Sequence, residues 1–154
     1  DISRVIDNTE KAEELAESAE RAIARGDEKA AWGYIDGAIR RRPDDWRYHY
    51  QAAAYALVLG DEKEGARQTS VAEDCVRVGK PDAAVAASDA IDAYEGAFNA
   101  VQAGDDRDAK ARVLGVLAEN YEKRGDAYFE AGRKNDAVDD YAKAQEYRDL
   151  LGEL

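Results

Sequence analysis

Methionine is missing from this chain of 154 residues, even at position 1, and there is one cysteine, one histidine and two prolines. The lone Cys75 cannot close an internal disulfide, which fits a reducing compartment, and with His49 as its only histidine the chain has no set of several His and Cys ligands for a metal. Two prolines and 12 glycines leave little turn chemistry for a many-stranded sheet. No apolar stretch approaches the roughly 20 residues of a membrane span, and no charged, apolar, small-residue leader opens the chain. No membrane partner is therefore expected, and a cytoplasmic location is; the missing methionine reads as a processed, excised or engineered chain. Positive charge is short too, with 22 Lys and Arg against 34 Asp and Glu, a net charge of -12. A phosphate backbone would be repelled, so nucleic acid is not an expected partner. The acidity itself has two readings, a basic partner or an ordinary solvated surface.

What the chain does have is alanine, glutamate, arginine and leucine in quantity, with 45% hydrophobic residues, enough for one core. The reading is a single all-α domain over 1–154. Apolar residues recur at helical spacing and predict seven helices near 3–25, 28–41, 45–59, 62–78, 82–103, 107–131 and 134–151. Stop-and-restart signals stand at Gly26-Asp27, Gly60-Asp61 and Gly104-Asp105, each expected to mark the bend of a helical hairpin. The stretch 107–131 has no proline and is expected to run as one long helix, with a break near Asn120 as the alternative.

From Gly26 to Gly60 is 34 positions, and small residues fall in the same places of successive windows. A unit from Ala12 to Asp45 has Ala19, Ala31 and Ala38 at places eight, twenty and twenty-seven; a unit from Trp46 has Ala53, Gly65 and Ala72 there. Two helices approach closely only where side chains are small, so such positions set the helix spacing. A third window, from Ala118, holds Tyr121, Gly125, Tyr128, Gly132, Ala137, Tyr141 and Ala144 at places four, eight, eleven, fifteen, twenty, twenty-four and twenty-seven. This pattern resembles the tetratricopeptide repeat (TPR) family, over roughly two thirds of the chain. The resemblance implies a right-handed superhelical array of antiparallel hairpins, with units near 12–45, 46–79, 90–117 and 118–151. Between the second and third units stand about ten extra residues, Lys80 to Asp89, read as a lengthened fifth helix, and the third frame overlaps the fourth by six.

In that family the first helix of each unit lines a concave groove at places two, five, nine, twelve and thirteen. Carried over, the groove would hold Arg47, Tyr50, Ala54, Leu57 and Val58 in the second unit and Ile91, Tyr94, Phe98, Val101 and Gln102 in the third. In the first it would hold Glu13, Ala16, Glu20, Ile23 and Ala24, and in the last Glu119, Glu122, Asp126, Phe129 and Glu130. An aromatic centre with acidic ends suits a protein segment with apolar anchors and basic flanks. The expected contact residues are Arg47, Tyr50, Leu57, Tyr94, Phe98, Val101 and Gln102; the alternative is that Tyr50, Tyr94 and Phe98 pack against neighbouring helices. The lysine and asparagine clamp with which some members hold a terminal carboxylate is replaced by Ala16, Glu20 and Gln51.

Catalytic signals are sparse. His49 lies among Trp46, Tyr48 and Tyr50, where it could bind a ligand or cofactor, but it has no companion base motif. Asp44-Asp45 and Asp105-Asp106 read as helix caps, Asp139-Asp140 as a solvated face, and Cys75 as a structural thiol; no phosphate loop is present. The functional expectation is a non-catalytic interaction module or scaffold without cofactor, binding a protein or peptide. Self-association is the second reading, and a ligand site near His49 the third.

Overall fold

The computed structural model describes all 154 residues and contains seven α-helices and no strands. They are α1 (Ile2–Ala24), α2 (Glu28–Arg41), α3 (Trp46–Leu59), α4 (Glu62–Gly79), α5 (Ala83–Val101), α6 (Arg107–Glu130) and α7 (Lys134–Gly152). No helix is long and apolar enough to cross a membrane. Aspartate side chains begin most of the helices. Asp27, Asp61 and Asp106 each accept a bond from the backbone N–H three residues on, at 3.0 to 3.1 Å, and Asp45 accepts from Arg47 N–H at 3.1 Å. These bonds satisfy amides that would otherwise have no partner in the first turn.

The tight hairpin bends are made by Gly26, Gly60 and Gly132, whose φ values of 81°, 84° and 79° lie in the left-handed region that a side chain resists. After each, the next amide bonds back to the closing turn: Asp27 to Ala22, Asp61 to Ala56 and Arg133 to Tyr128, at 2.8 to 2.9 Å. Gly104, expected as the third bend, does not take this conformation. α5 ends earlier, at Val101, and a looser loop runs to the Asp106 cap. The α5–α6 hairpin nevertheless turns there, as expected, and Gly132 makes the left-handed bend between α6 and α7.

α3 is the central helix: it packs against α2, α4, α5 and α6, and ten of its 14 residues are buried. Alanines at Ala52, Ala53, Ala54 and Ala56 let four neighbours approach it. α1 pairs with α2, α3 with α4, α5 with α6, and α6 with α7; α1 also packs on α5. α6 runs unbroken for 24 residues, so the long-helix expectation holds, and α5 has 19 residues against 14 for α3. Helix contact in the C-terminal hairpin depends on one small residue, because a methyl at Gly125 would stand 2.7 Å from the Tyr141 ring. These are two of the positions that carried the repeat pattern. At Gly65 the neighbour is Leu57, 3.3 Å from where a Cβ would be.

Candidate functional site

α1, α3 and α5 enclose an open cavity of about 800 Å³. The α1 wall presents Glu13, Glu17 and Glu20, which fall on one helical face at spacings of four and three. The α5 wall presents Asp89, Asp92 and Glu95, spaced by three. Between them α3 forms the floor with Arg47, Tyr48, Gln51 and Tyr55. Six carboxylates thus surround a groove whose single cation, Arg47, is already engaged: its guanidinium holds Asp45 at 2.7 and 3.0 Å and lies over the Tyr48 ring.

The α5 wall acts on the α1 wall. Burial, then the charges of Glu17 and Asp92, push the Glu20 carboxyl above the ordinary carboxylate range. Burial, then Asp89 and Glu95, do the same to Asp92. The molecule has ion pairs elsewhere, yet Glu13, Glu17, Glu20 and Asp92 join none of them. Asp89 accepts the Trp46 indole N–H at 2.8 Å. Glu95 accepts the hydroxyls of Tyr121 and Tyr147, so the C-terminal hairpin fixes a carboxylate at the groove wall. In the floor, Gln51 donates to the Tyr55 hydroxyl at 3.3 Å. Burial raises the Tyr55 phenol to about 12, so it stays a neutral hydrogen-bonding group. Tyr48 is 2% exposed, and its hydroxyl is the one buried side-chain polar atom without a partner.

The α1 residues expected to line a groove, Glu13, Ala16, Glu20, Ile23 and Ala24, all do so. Of the seven expected contact residues only Arg47 does. Tyr50 is 9% exposed and Tyr94 1% exposed, both within the core, and the Tyr94 hydroxyl meets Thr69 on α4 at 3.4 Å. Phe98 turns toward α7 and meets the Tyr147 ring edge-on, with centroids 5.8 Å apart. Leu57 packs near Gly65, its carbonyl taking the Arg112 Nε–H at 2.8 Å; Val101 is half-buried on the core and Gln102 lies exposed beyond the end of α5. The physical reason is a rotation. On α3 and α5 the stripe facing the cavity includes Tyr48, Gln51 and Tyr55, and Asp92, Glu95 and Asn99, each one residue beyond the expected places. One residue is about 100° around a helix, enough to exchange a core face for a groove face. The groove is therefore acidic where an aromatic centre was expected.

The other candidates take structural places. His49 is 5% exposed with both ring nitrogens engaged, Nδ1 with Gln68 Oε1 at 2.8 Å and Nε2 with the Pro43 carbonyl at 2.7 Å, leaving neither for a metal or a substrate proton. Burial, then Asp44, push the Cys75 thiol up, away from nucleophilic thiolate. Asp140, expected on a solvated face, is 5% exposed and forms a two-pronged pair with Arg124, both bonds 2.8 Å. Arg124 also donates to Ser88 on α5 at 3.1 Å, tying three helices together. The sequence signal missed here was that Arg124 and Asp140 lie opposite one another across the α6–α7 bend. No family model and no curated protein matches this chain.

Proposed function

We propose that this chain is a non-catalytic interaction module with a TPR-like repeat architecture, and that it binds a basic segment of another protein in the groove between α1, α3 and α5. The observation that carries the reading is the groove's unbalanced charge: six carboxylates line it, and its one arginine is spent on Asp45. A cationic ligand would relieve the repulsion between the walls as it binds, and the field would steer its approach. The repeat reading is supported by the small residues at repeating places and by a cavity lined by the first helices of the first three hairpins, α1, α3 and α5. In this reading the long α6 serves twice, its first half closing the third unit and its second half opening the fourth, which accounts for the overlapping frames.

The test is direct binding of fluorescein-labelled basic and acidic peptides, followed by anisotropy. The parent chain should bind the basic peptide, more weakly as salt rises, and a Glu17→Lys/Glu20→Lys/Asp92→Lys variant should reverse the preference. Equal binding of both peptides by the parent, or an unchanged preference in the variant, would remove the groove from the account.

Self-association has an observation of its own. The first turns of α1 expose Ile2, Val5 and Ile6, at 79%, 61% and 52%, on neighbouring helical positions. Light scattering across a concentration series reads it: growth in mass that Ile2→Ser/Ile6→Ser abolishes would assign that face to assembly.

A further inference from the structure

His49 is the only histidine in the chain, and it is buried with an oxygen set against each of its ring nitrogens. Nε2 stands 2.7 Å from the carbonyl oxygen of Pro43, in the loop between α2 and α3, and Nδ1 stands 2.8 Å from Oε1 of Gln68 on α4. A carbonyl oxygen only accepts, so the bond to Pro43 requires a proton on Nε2. Gln68 would have to turn its amide over to donate to Nδ1, yet its Nε2 already donates to Glu64 Oε1 at 3.1 Å. Turning it would set the Gln68 oxygen against that carboxylate. Glu64 supplies no proton of its own: both its oxygens accept from the Arg67 guanidinium, at 2.6 and 2.9 Å, and chiefly through these bonds its carboxyl is held below the ordinary range.

The order of donors therefore runs one way, and both ring nitrogens must donate. A neutral imidazole carries one N–H and satisfies one of the two acceptors; only the imidazolium satisfies both. Charged and titratable groups stand on the elements around this ring. α4 supplies Glu64 and Arg67, together with Cys75, whose thiol approaches the same Pro43 carbonyl at 3.8 Å. The loop brings Asp44 and Asp45, and Arg42 at the end of α2 lies 3.7 Å from Asp44. α5 reaches this end of α3 through Asp89, which takes the indole N–H of Trp46, and α6 bonds at the far end, where Arg112 donates to Leu57. On α3 itself, Arg47 is held by Asp45.

We infer that His49 is a buried imidazolium that ties the α2–α3 loop to α4, and that loss of one proton to solvent releases the loop at Pro43. With Gln68 fixed by Glu64, the proton that remains stays on Nδ1. The Nε2 lone pair then faces the Pro43 carbonyl oxygen at 2.7 Å, a repulsion that a shift of the loop relieves. That loop joins the first hairpin to the second. Its last residue, Asp45, caps α3 and holds the Arg47 guanidinium, so the change at Pro43 reaches the rim of the groove. The inference is independent of what the groove binds.

Because the chain has a single histidine, long-range ¹H–¹⁵N correlation spectra of the full chain report the two ring nitrogens of His49 and no others. They are recorded from about pH 5 to about pH 9, a range that brackets the loss of a proton by an imidazole. Two protonated nitrogens are expected at the acid end, and a protonated Nδ1 with a bare Nε2 at the alkaline end. The backbone amides of Asp44, Asp45 and Trp46 should shift with the same midpoint as the ring, while Gly60, at the other end of α3, stays still. In Glu64→Gln the new amide can donate to Gln68 Oε1, so Gln68 turns over and donates to Nδ1. The alkaline ring of that variant should carry its proton on Nε2 instead, and the loop shifts should fall about threefold or more, with helix content by circular dichroism unchanged. The parent's spectra test the inference without any variant. An alkaline parent ring protonated on Nε2, a ring that titrates while the loop amides stay still, or a folded Glu64→Gln chain with the parent's tautomer would each overturn it.

Discussion

In the α6–α7 hairpin, Asp136, Asp140, Glu122 and Glu146 each meet an arginine or lysine, whereas along the groove Glu13, Glu17, Glu20 and Asp92 meet none. The aromatic residues divide the same way. In the hairpin Tyr121, Tyr128 and Tyr147 each lie under a cation, and Tyr141 donates to Asp126 at 2.5 Å. Beneath the groove Tyr48 keeps a buried hydroxyl with nothing to bond. The two regions are built from the same residue types, so composition does not separate them. What separates them is that these four hairpin carboxylates find a cation inside the chain and these four groove carboxylates do not. Groups satisfied internally contribute to the fold, and the unpaired carboxylates of the groove are what the proposed binding of a basic segment rests on.

This contrast can be broken at several points. The largest effect is expected at Tyr94, on the face of α5 that turns away from the groove. Tyr94→Ala should cost about 3 to 5 kcal/mol in urea denaturation, as removal of a large buried ring does. A folded, equally stable variant would mean that Tyr94 is a surface anchor after all. Next is the buried ion pair: Asp140→Ala should cost about 3 kcal/mol by leaving Arg124 unpaired between three helices, with peptide affinity retained under conditions where the variant is folded. A loss below about 1 kcal/mol would put that pair in the same class as exposed ones. Gly125→Ala should cost about 1 to 3 kcal/mol, because the Tyr141 ring must move from a contact of 2.7 Å.

The smallest effect has the opposite sign. With their carboxyls raised above the ordinary range, Glu20 and Asp92 hold more protons in the folded chain than in the unfolded one across the window between the ordinary and raised values. Stability contributed by these groups therefore falls as pH rises through that window, and the penalty is complete above it. Glu20→Gln/Asp92→Asn should raise the melting temperature near neutral pH, by no more than about 0.5 kcal/mol of stability because both groups are exposed to solvent screening. Below the ordinary carboxylate range the difference from the parent should vanish. A variant less stable than the parent at neutral pH would mean the carboxylates have partners.

The helices were legible because their signals are local. Aspartate caps and helical periodicity place all seven starts within one residue, and the glycine bends at Gly26 and Gly60 fall where the Gly-Asp pairs stand. Gly104-Asp105 also stands in a hairpin loop, between the packed helices α5 and α6, but that longer loop needs no left-handed turn. The continuous α6 followed from the absence of proline. The groove was legible in position but not in lining: on α1 the expected face is the observed one, while α3 and α5 are turned by one residue. Such a rotation depends on what the far side of each helix packs against. For α5 those neighbours are Thr69 on α4 and Tyr147 on α7, contacts 25 and 49 residues away in sequence that no single window contains. The Arg124–Asp140 pair escaped for the same reason, since a charge in a helix reads as solvated until its partner on the next helix is known.

The central claim is that a basic segment occupies the surface between α1, α3 and α5. The measurement that tests it most directly is a two-dimensional ¹H–¹⁵N NMR titration of the labelled chain with the unlabelled basic peptide. The account predicts saturable shifts at the backbone amides of Glu17, Ala93, Gly96 and Asn99, at the Gln51 side-chain amide and at the Trp46 indole N–H, with the exposed faces of α4 and α7 unmoved. Shifts confined to α4 or α7, or none at saturating peptide, would contradict it.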